Sequence, residues 1–467
     1  MPFIPLREKP FKNVDSIGNS VAIEDFIDAD KDDFYNNKKR KGLLEFVDLG
    51  TGLPIDGIFN PIDTNVVVAF SNGTPYKVIE NGTVTEITGE SLNAGTPVKM
   101  ADFSTAGYFC NNSSIMEWDY STVVNTFLDD PSAPTDATHL GFLNQYLLAL
   151  EADSQQFAWS DVDDPEQWLG EFAQAESRPD KLVALLVAFD EIFLPGTRTI
   201  EHWGSTIDPS APFQRIASTT TERGSLSPYT FAQVDNSFMF LDEERRVIRM
   251  RGREPQIISN PFDAEFQNIE TVSDAIGIHF NAEGDTKYLI TFPTADVTYV
   301  YDYKLDFWAK WSEWIEVSGT RQRWLGNCGV LVPSWRKYLV GSKTDGKIYY
   351  ASSEYDTDDG ENVQTEIITG RIDWGTSQRK SCKKLRIHLK RGIGGLATSF
   401  TMVVNYRDNG STEWKTDKNI NLGIAGDEDS YFTLRNLATY RDRQWRFRVT
   451  SGNKTLLVSA EETFTVI

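Results

Sequence analysis

Cysteine is scarce. The 467 residues hold three, Cys110, Cys328 and Cys382, far apart, odd in number and without a CxxC pair. That excludes a disulfide framework and a cysteine zinc site, and leaves isolated small buried side chains as the expectation. Histidine is nearly as rare. His139, His202, His279 and His388 show neither HxH nor HExxH spacing, so no metal centre or Ser/His/Asp site is announced. Long apolar runs are missing too. The longest lies between Leu182 and Phe189, far short of the roughly 20 residues that cross a bilayer. The leading MPFIPLREKPFK has prolines and charges where a secretory signal needs an apolar stretch. A soluble chain, made in the cytosol and without membrane insertion, is expected. Basic charge is in deficit, with 46 Lys and Arg against 68 Asp and Glu, a net of −22. A whole-chain nucleic-acid binder should be basic, because phosphate neutralisation supplies most of its affinity, so that class is excluded.

What is abundant is aromatic: 12% of the chain, including 12 Trp. Strongly charged disordered chains lack such residues, so a packed fold is expected. From residue 65 onward the pattern is short strands and turns. Runs at 66–70, 75–79 and 84–87 are separated by Asn72-Gly73 and Asn81-Gly82. Asn-Gly between apolar runs marks a hairpin, because both residues tolerate positive φ. Groups of three or four such runs recur every 30 to 50 residues up to about residue 351. This is the spacing of propeller blades. Large aromatics suit the wedge between twisted blades, where each buries roughly 150–250 Å². The plainer alternative is two stacked β-sandwiches.

Charge divides the chain. Residues 371–467 carry 17 Lys and Arg against 10 Asp and Glu, a net of +7, so residues 1–370 carry −29 of the total of −22. Leu385, Ile387 and Leu389, and Trp445, Phe447 and Val449, alternate with basic residues, as in half-exposed antiparallel strands. The expectation is all-β: a β-propeller of six or seven blades with a C-terminal β-sandwich-like domain. Its parts are an extended N-terminal segment and leading strand (1–60), the propeller (61–355), an acidic linker (356–370) and the basic domain (371–467). Arg379, Lys380, Lys383, Lys384, Arg386, Lys390, Arg391, Arg446 and Arg448 form a candidate protein-docking basic face. An acidic neighbour, such as another subunit, suits it better than phosphate, since no Gly-rich phosphate loop accompanies it.

Other motifs carry less. Asp161, Asp163 and Asp164 in WSDVDDPEQW have the residue types of a glycosidase pair or a calcium site, but the Asp-Pro and flanking Trp fit a loop between blades. Around Gly360, an EF-hand register puts Tyr355 first and Thr357 third, and neither meets the ligand requirement. RDNGSTEW (407–414) resembles a sialidase Asp-box, with Tyr406 in the Ser position and Trp414 one residue late. Its Asp-Asn-Gly is a tight turn in its own right. The N-x-S/T sequons read as turns. No catalytic, cofactor or metal residue emerges.

Several stretches resemble one family: GLLEFVDLGTGLPIDGIFN, WSDVDDPEQW, ESRPDKLVALLVAFDEIFLPGTRTIEHW, GSLSPYTFAQVDNSFMFLDEERRVIRM, DGKIYYAS and KKLRIHLKRG. Together they are similar to the tail hub proteins of short-tailed bacteriophages. These are also called head-completion or packaged-DNA stabilisation proteins, and are related in role to the tail nozzle. The likeness runs from about residue 40 to 460. It implies a β-propeller subunit of a hexameric ring in the virion tail, synthesised in the bacterial host cytoplasm, without enzymatic activity. The ring would sit below the portal and adaptor proteins and continue the DNA channel. It would help retain packaged DNA and dock fibre, spike or plug proteins, and DNA would pass through the lumen without specific binding. An acidic lumen would repel phosphate and let DNA slide. The other readings are a tail-associated propeller that binds or hydrolyses glycan, and a monomeric propeller scaffold that binds host proteins.

Overall fold

The computed structural model describes residues 2–6, 23–31, 37–103, 105–175, 178–209, 211–390, 400–415, 417–423, 430–451 and 455–467. Seven four-stranded antiparallel units follow one another along the chain. Blades 1 to 6 span residues 55–86, 99–127, 137–174, 186–215, 232–257 and 276–315. Blade 7 takes three strands from residues 326–352. Its fourth and outermost strand is Gly42–Asp48, which pairs antiparallel with Lys347–Ser352. The two ends of the propeller are thus joined by hydrogen bonds, which removes the free edges an open sheet would expose.

The strand sequences explain the radial packing. Phe238–Leu241, the second strand of blade 5, reads FMFL and is wholly buried. Phe238 and Phe240 face blade 4, while Met239 and Leu241 face blade 6. A sheet covered on both faces needs a continuous apolar run, not alternation. Among the described residues, seven apolar clusters fill the seven blade junctions in this way. Aromatic pairs bridge most of them, such as Phe70–Phe109 at 4.9 Å, Phe157–Trp203 at 5.3 Å and Phe193–Phe238 at 5.0 Å. The blade count, expected as six or seven, is seven. At the first hairpin Asn72 and Gly73 have φ of 52° and 80°. A Cβ on Gly73 would lie 2.1 Å from the Leu92 carbonyl oxygen, so glycine is required there.

The second body is a sandwich. One sheet holds Lys380–Lys390, Leu456–Val466 and Ser430–Arg435, with Asn37–Lys39 and Ala29–Lys31 at its other side. The other holds Glu361–Thr369, Arg443–Ser451, Phe400–Asp408 and Lys418–Gly423, with Ile23–Ile27 beside Glu361–Thr369. Leu385, Ile387, Val404, Leu422, Trp445 and Phe447 lie in its core. The expected borders are therefore displaced. Residues 356–370 include two strands, Thr357–Asp358 and Glu361–Thr369, rather than a linker. Val363 and Ile367 are buried, so this segment pairs inside the sheet despite its acidic start. The described residues within 1–60 are not a separate extended lead. They supply strands to the sandwich, the outer strand of blade 7 and the inner strand of blade 1. Ile27 also pairs with Lys310 of the outer strand of blade 6, Phe307–Ile315, which attaches the sandwich at the seam of blades 6 and 7.

Candidate functional site

The expected basic face is divided by the fold. Lys383 and Lys390 are exposed and Lys384 and Arg386 half-buried along Lys380–Lys390, and Arg379 is exposed just before it. Arg386 lies 4.1 Å over the ring of Tyr431, and His388 stacks on that ring at 4.4 Å. Arg446 and Arg448 belong to the opposite sheet. Both donate to Asn405 Oδ1, Arg448 pairs with Asp417 at 3.3 Å, and Arg446 covers Trp414 at 4.4 Å. Successive sheet layers, not one surface, separate these two groups. Lys380 is no surface residue. It is fully buried, and its Nζ donates to the carbonyls of Thr376, Gln378 and Arg441 at 2.6, 2.9 and 2.6 Å. Burial lowers its pKa. Arg391 lies outside the described residues.

The carboxylate motifs are held by their own surroundings. In the blade 3 loop, Asp161 Oδ1 accepts from the Val162 amide and Asp164 Oδ1 from the Glu166 amide. Asp358 binds Arg40, and Asp359 pairs with Lys347 at 2.9 Å. Asp408 of the box-like segment accepts from Arg443 Nε at 2.6 Å and Nη2 at 3.0 Å, and from Lys415 Nζ at 2.7 Å. The histidines are scattered among separate elements, and no cluster among the described residues could hold a metal ion. Cys110 and Cys382 are buried, Cys328 partly so, and burial pushes all three thiols up. They are poor nucleophiles.

Two constellations escaped the sequence. The first is a buried ion network where the sandwich meets blades 6 and 7. Asp28 accepts from Arg40 Nε at 2.7 Å, from the Ser312 amide at 2.7 Å and from Arg321 Nη1 at 2.9 Å. Arg40 also grips Asp358 with both terminal nitrogens, at 2.9 and 2.5 Å. Burial opposes its charge, yet the two carboxylates hold it above its ordinary pKa. The second is a cavity of about 130 Å³ on the propeller axis, lined by the inner strands of blades 1, 2, 6 and 7 and by Tyr229. Burial brings Asp56 in its wall up to about 6 and Lys99 down to about 8. These partners lie hundreds of residues apart or on different blades, so no local motif announces them.

Comparison with known proteins bears on the propeller directly. Residues 55–356 match the Phage_stabilise family model, described as bacteriophage P22 Gp10, beta-propeller. The chain belongs to this family. It is a family of structural head-completion and stabilisation proteins of short-tailed phages, and membership makes the chain a virion component. The matched segment covers blades 1 to 6 and the three chain-consecutive strands of blade 7. No curated protein sequence matches the chain. Among solved structures, the computationally designed Ika8 protein aligns at 13% identity and a TM-score of 0.38, covering 66% of this chain and 99% of its own. The extracellular domain of a hybrid two component system from B. thetaiotaomicron aligns at 11% identity and a TM-score of 0.45, over 66% of this chain. A second structure, described as a one component system from the same organism, has the same identity and TM-score and covers 96% of this chain. This chain spans 39% and 64% of those two proteins. No helix among the described residues is long and apolar enough to cross a membrane.

Proposed function

We propose that this chain acts as a subunit of a homohexameric ring at the distal end of a short tail. The ring lies below the portal and adaptor proteins, continues the DNA channel, helps retain the packaged genome and docks fibre, spike or plug proteins. The observation that carries this reading is the family match over nearly the whole propeller. The division of charge supports it. Residues 1–370 carry −29, and part of that excess lining a channel repels phosphate and leaves DNA free to slide. The basic sandwich face engages protein. The function is assembly and conduit formation, with no reaction.

The test is genetic and biochemical. Phage grown without this chain should fill their heads and then lose DNA, seen as nuclease-sensitive genomes in purified particles. Adding the purified chain should restore retention and infectivity. Particles that lack the chain yet keep their DNA and carry fibres would contradict the proposal.

A further inference from the structure

The exposed apolar side chains of the propeller are not spread evenly. In each blade the turns between first and second strands, and between third and fourth, lie on one face of the disc. In blades 2 to 4 that face presents Val123, Val124, Leu169, Phe172, Phe189 and Ile207, all exposed. The face carries acid beside them. The turns at 120–124, 144–145, 160–171, 189–190 and 206–212 contain seven Asp and Glu and no Lys or Arg. Glu166 of the blade 3 turn crowds Glu117 of blade 2. Burial, then the Glu166 charge, raises the Glu117 carboxyl. Apolar residues in an acidic rim, with carboxylates crowding one another, suit a cationic surface with an aromatic centre.

The same chain has one. Tyr431, 55% exposed on an edge strand, is covered by Arg386 and His388. Lys383, Lys384 and Lys390 lie along the same strand, with Lys384 opposite Arg435, and Glu461 stands across from Arg386 on the neighbouring strand. The chain cannot satisfy this match within itself. The sandwich joins the seam of blades 6 and 7, and in a seven-bladed disc that seam is half a turn from blade 3. Complementary patches on opposite sides of one molecule make head-to-tail contacts, which close as rings when the rotation permits.

We propose that the apolar, acidic arc of blades 2 to 4 receives the basic outer face of the sandwich of a neighbouring copy of this chain, with Tyr431 at the contact's centre. The inference rests on the ring reading and names the surfaces that build the ring. The test uses phage carrying a benzoylphenylalanine photocrosslinker in place of Tyr431. Irradiated virions should yield adducts between two copies, joining position 431 to peptides within 160–172 or 206–212. Adducts to another virion protein, to other segments of a second copy, or no adduct at all, would overturn the interface. Absence of the chain from virions would instead overturn the ring reading. A charge-swap keeps the test independent of the probe. Lys384→Glu with Arg386→Glu should cut incorporation at least about tenfold. Adding Asp163→Lys and Glu166→Lys should restore it. Equal incorporation of the first variant, or no rescue of a variant that melts like the native chain, would also contradict the proposal.

Discussion

At the scale of the residue, the decisive contacts are buried charges that join segments remote in sequence. Arg40 and Asp28, on the N-terminal segment, bind Ser312 of blade 6 and Asp358 beside blade 7. Removing one partner of such a pair strands the other without water. Arg40→Met is therefore expected to cost about 3–5 kcal/mol, measured by denaturant unfolding. A loss below about 1 kcal/mol would mean that the network is not closed as described. His139 governs an acid response. It is buried, and its Nε2 donates to the Pro228 carbonyl at 3.0 Å. Burial, and then nearby Lys99, push its pKa down to about 3 from an ordinary 6.5. Between pH 6.5 and 3 the unfolded chain binds a proton that the folded one refuses. Stability is complete above 6.5 and falls with pH at about 1.4 kcal/mol per pH unit. Asp56 and Asp242, raised to about 6 by burial, act in the opposite sense as pH falls from 6 to 4. They are common to native and variant chains. His139→Gln should therefore flatten the fall in unfolding free energy between pH 6.5 and 5, and parallel curves would refute the assignment.

At the scale of the element, the outer strand of blade 7 closes the propeller. Leu43 of Gly42–Asp48 is buried in the junction of blades 6 and 7. Leu43→Asp puts an unpaired carboxylate there, and should destabilise by several kcal/mol and open residues 326–352 to limited proteolysis. Unchanged melting and cleavage would contradict closure by this strand. The same strand shows what could be read beforehand. Hairpins within a blade were legible, because Asn72-Gly73 and the apolar runs beside it act over a few residues. The strands expected at 66–70, 75–79 and 84–87 stand at Val66–Ser71, Thr74–Ile79 and Val84–Glu86. The partner of Gly42–Asp48 was not legible, since Leu44 meets Tyr350 across the whole propeller. Glu361–Thr369 was missed because its acidic lead suggested solvent, whereas pairing with Arg443–Ser451 on one side and Ile23–Ile27 on the other buries Val363, Gln364, Glu366, Ile367 and Thr369. The basic face was half legible. Alternation showed which side chains point outward, but not that Arg446 and Arg448 belong to a different sheet, nor that Lys380 turns in to three carbonyls.

At the scale of the whole molecule, the uneven charge acquires a geometry. The acidic excess belongs chiefly to a closed propeller, and the basic excess to a sandwich fixed at one seam of its rim. Such a subunit has two unlike sides, which favours a directional ring over a symmetric pair. On the proposed ring, channel and docking surface would then separate, acid toward DNA and base toward protein. The most direct test is a cryo-EM reconstruction of the tail of the intact virion, with this chain fitted to the density. The account predicts a closed ring of six copies below the adaptor, with a lumen lined by Asp and Glu and the sandwich faces turned to protein. Density for this chain on the head surface or a long fibre, or a lumen ringed by Arg and Lys, would contradict it.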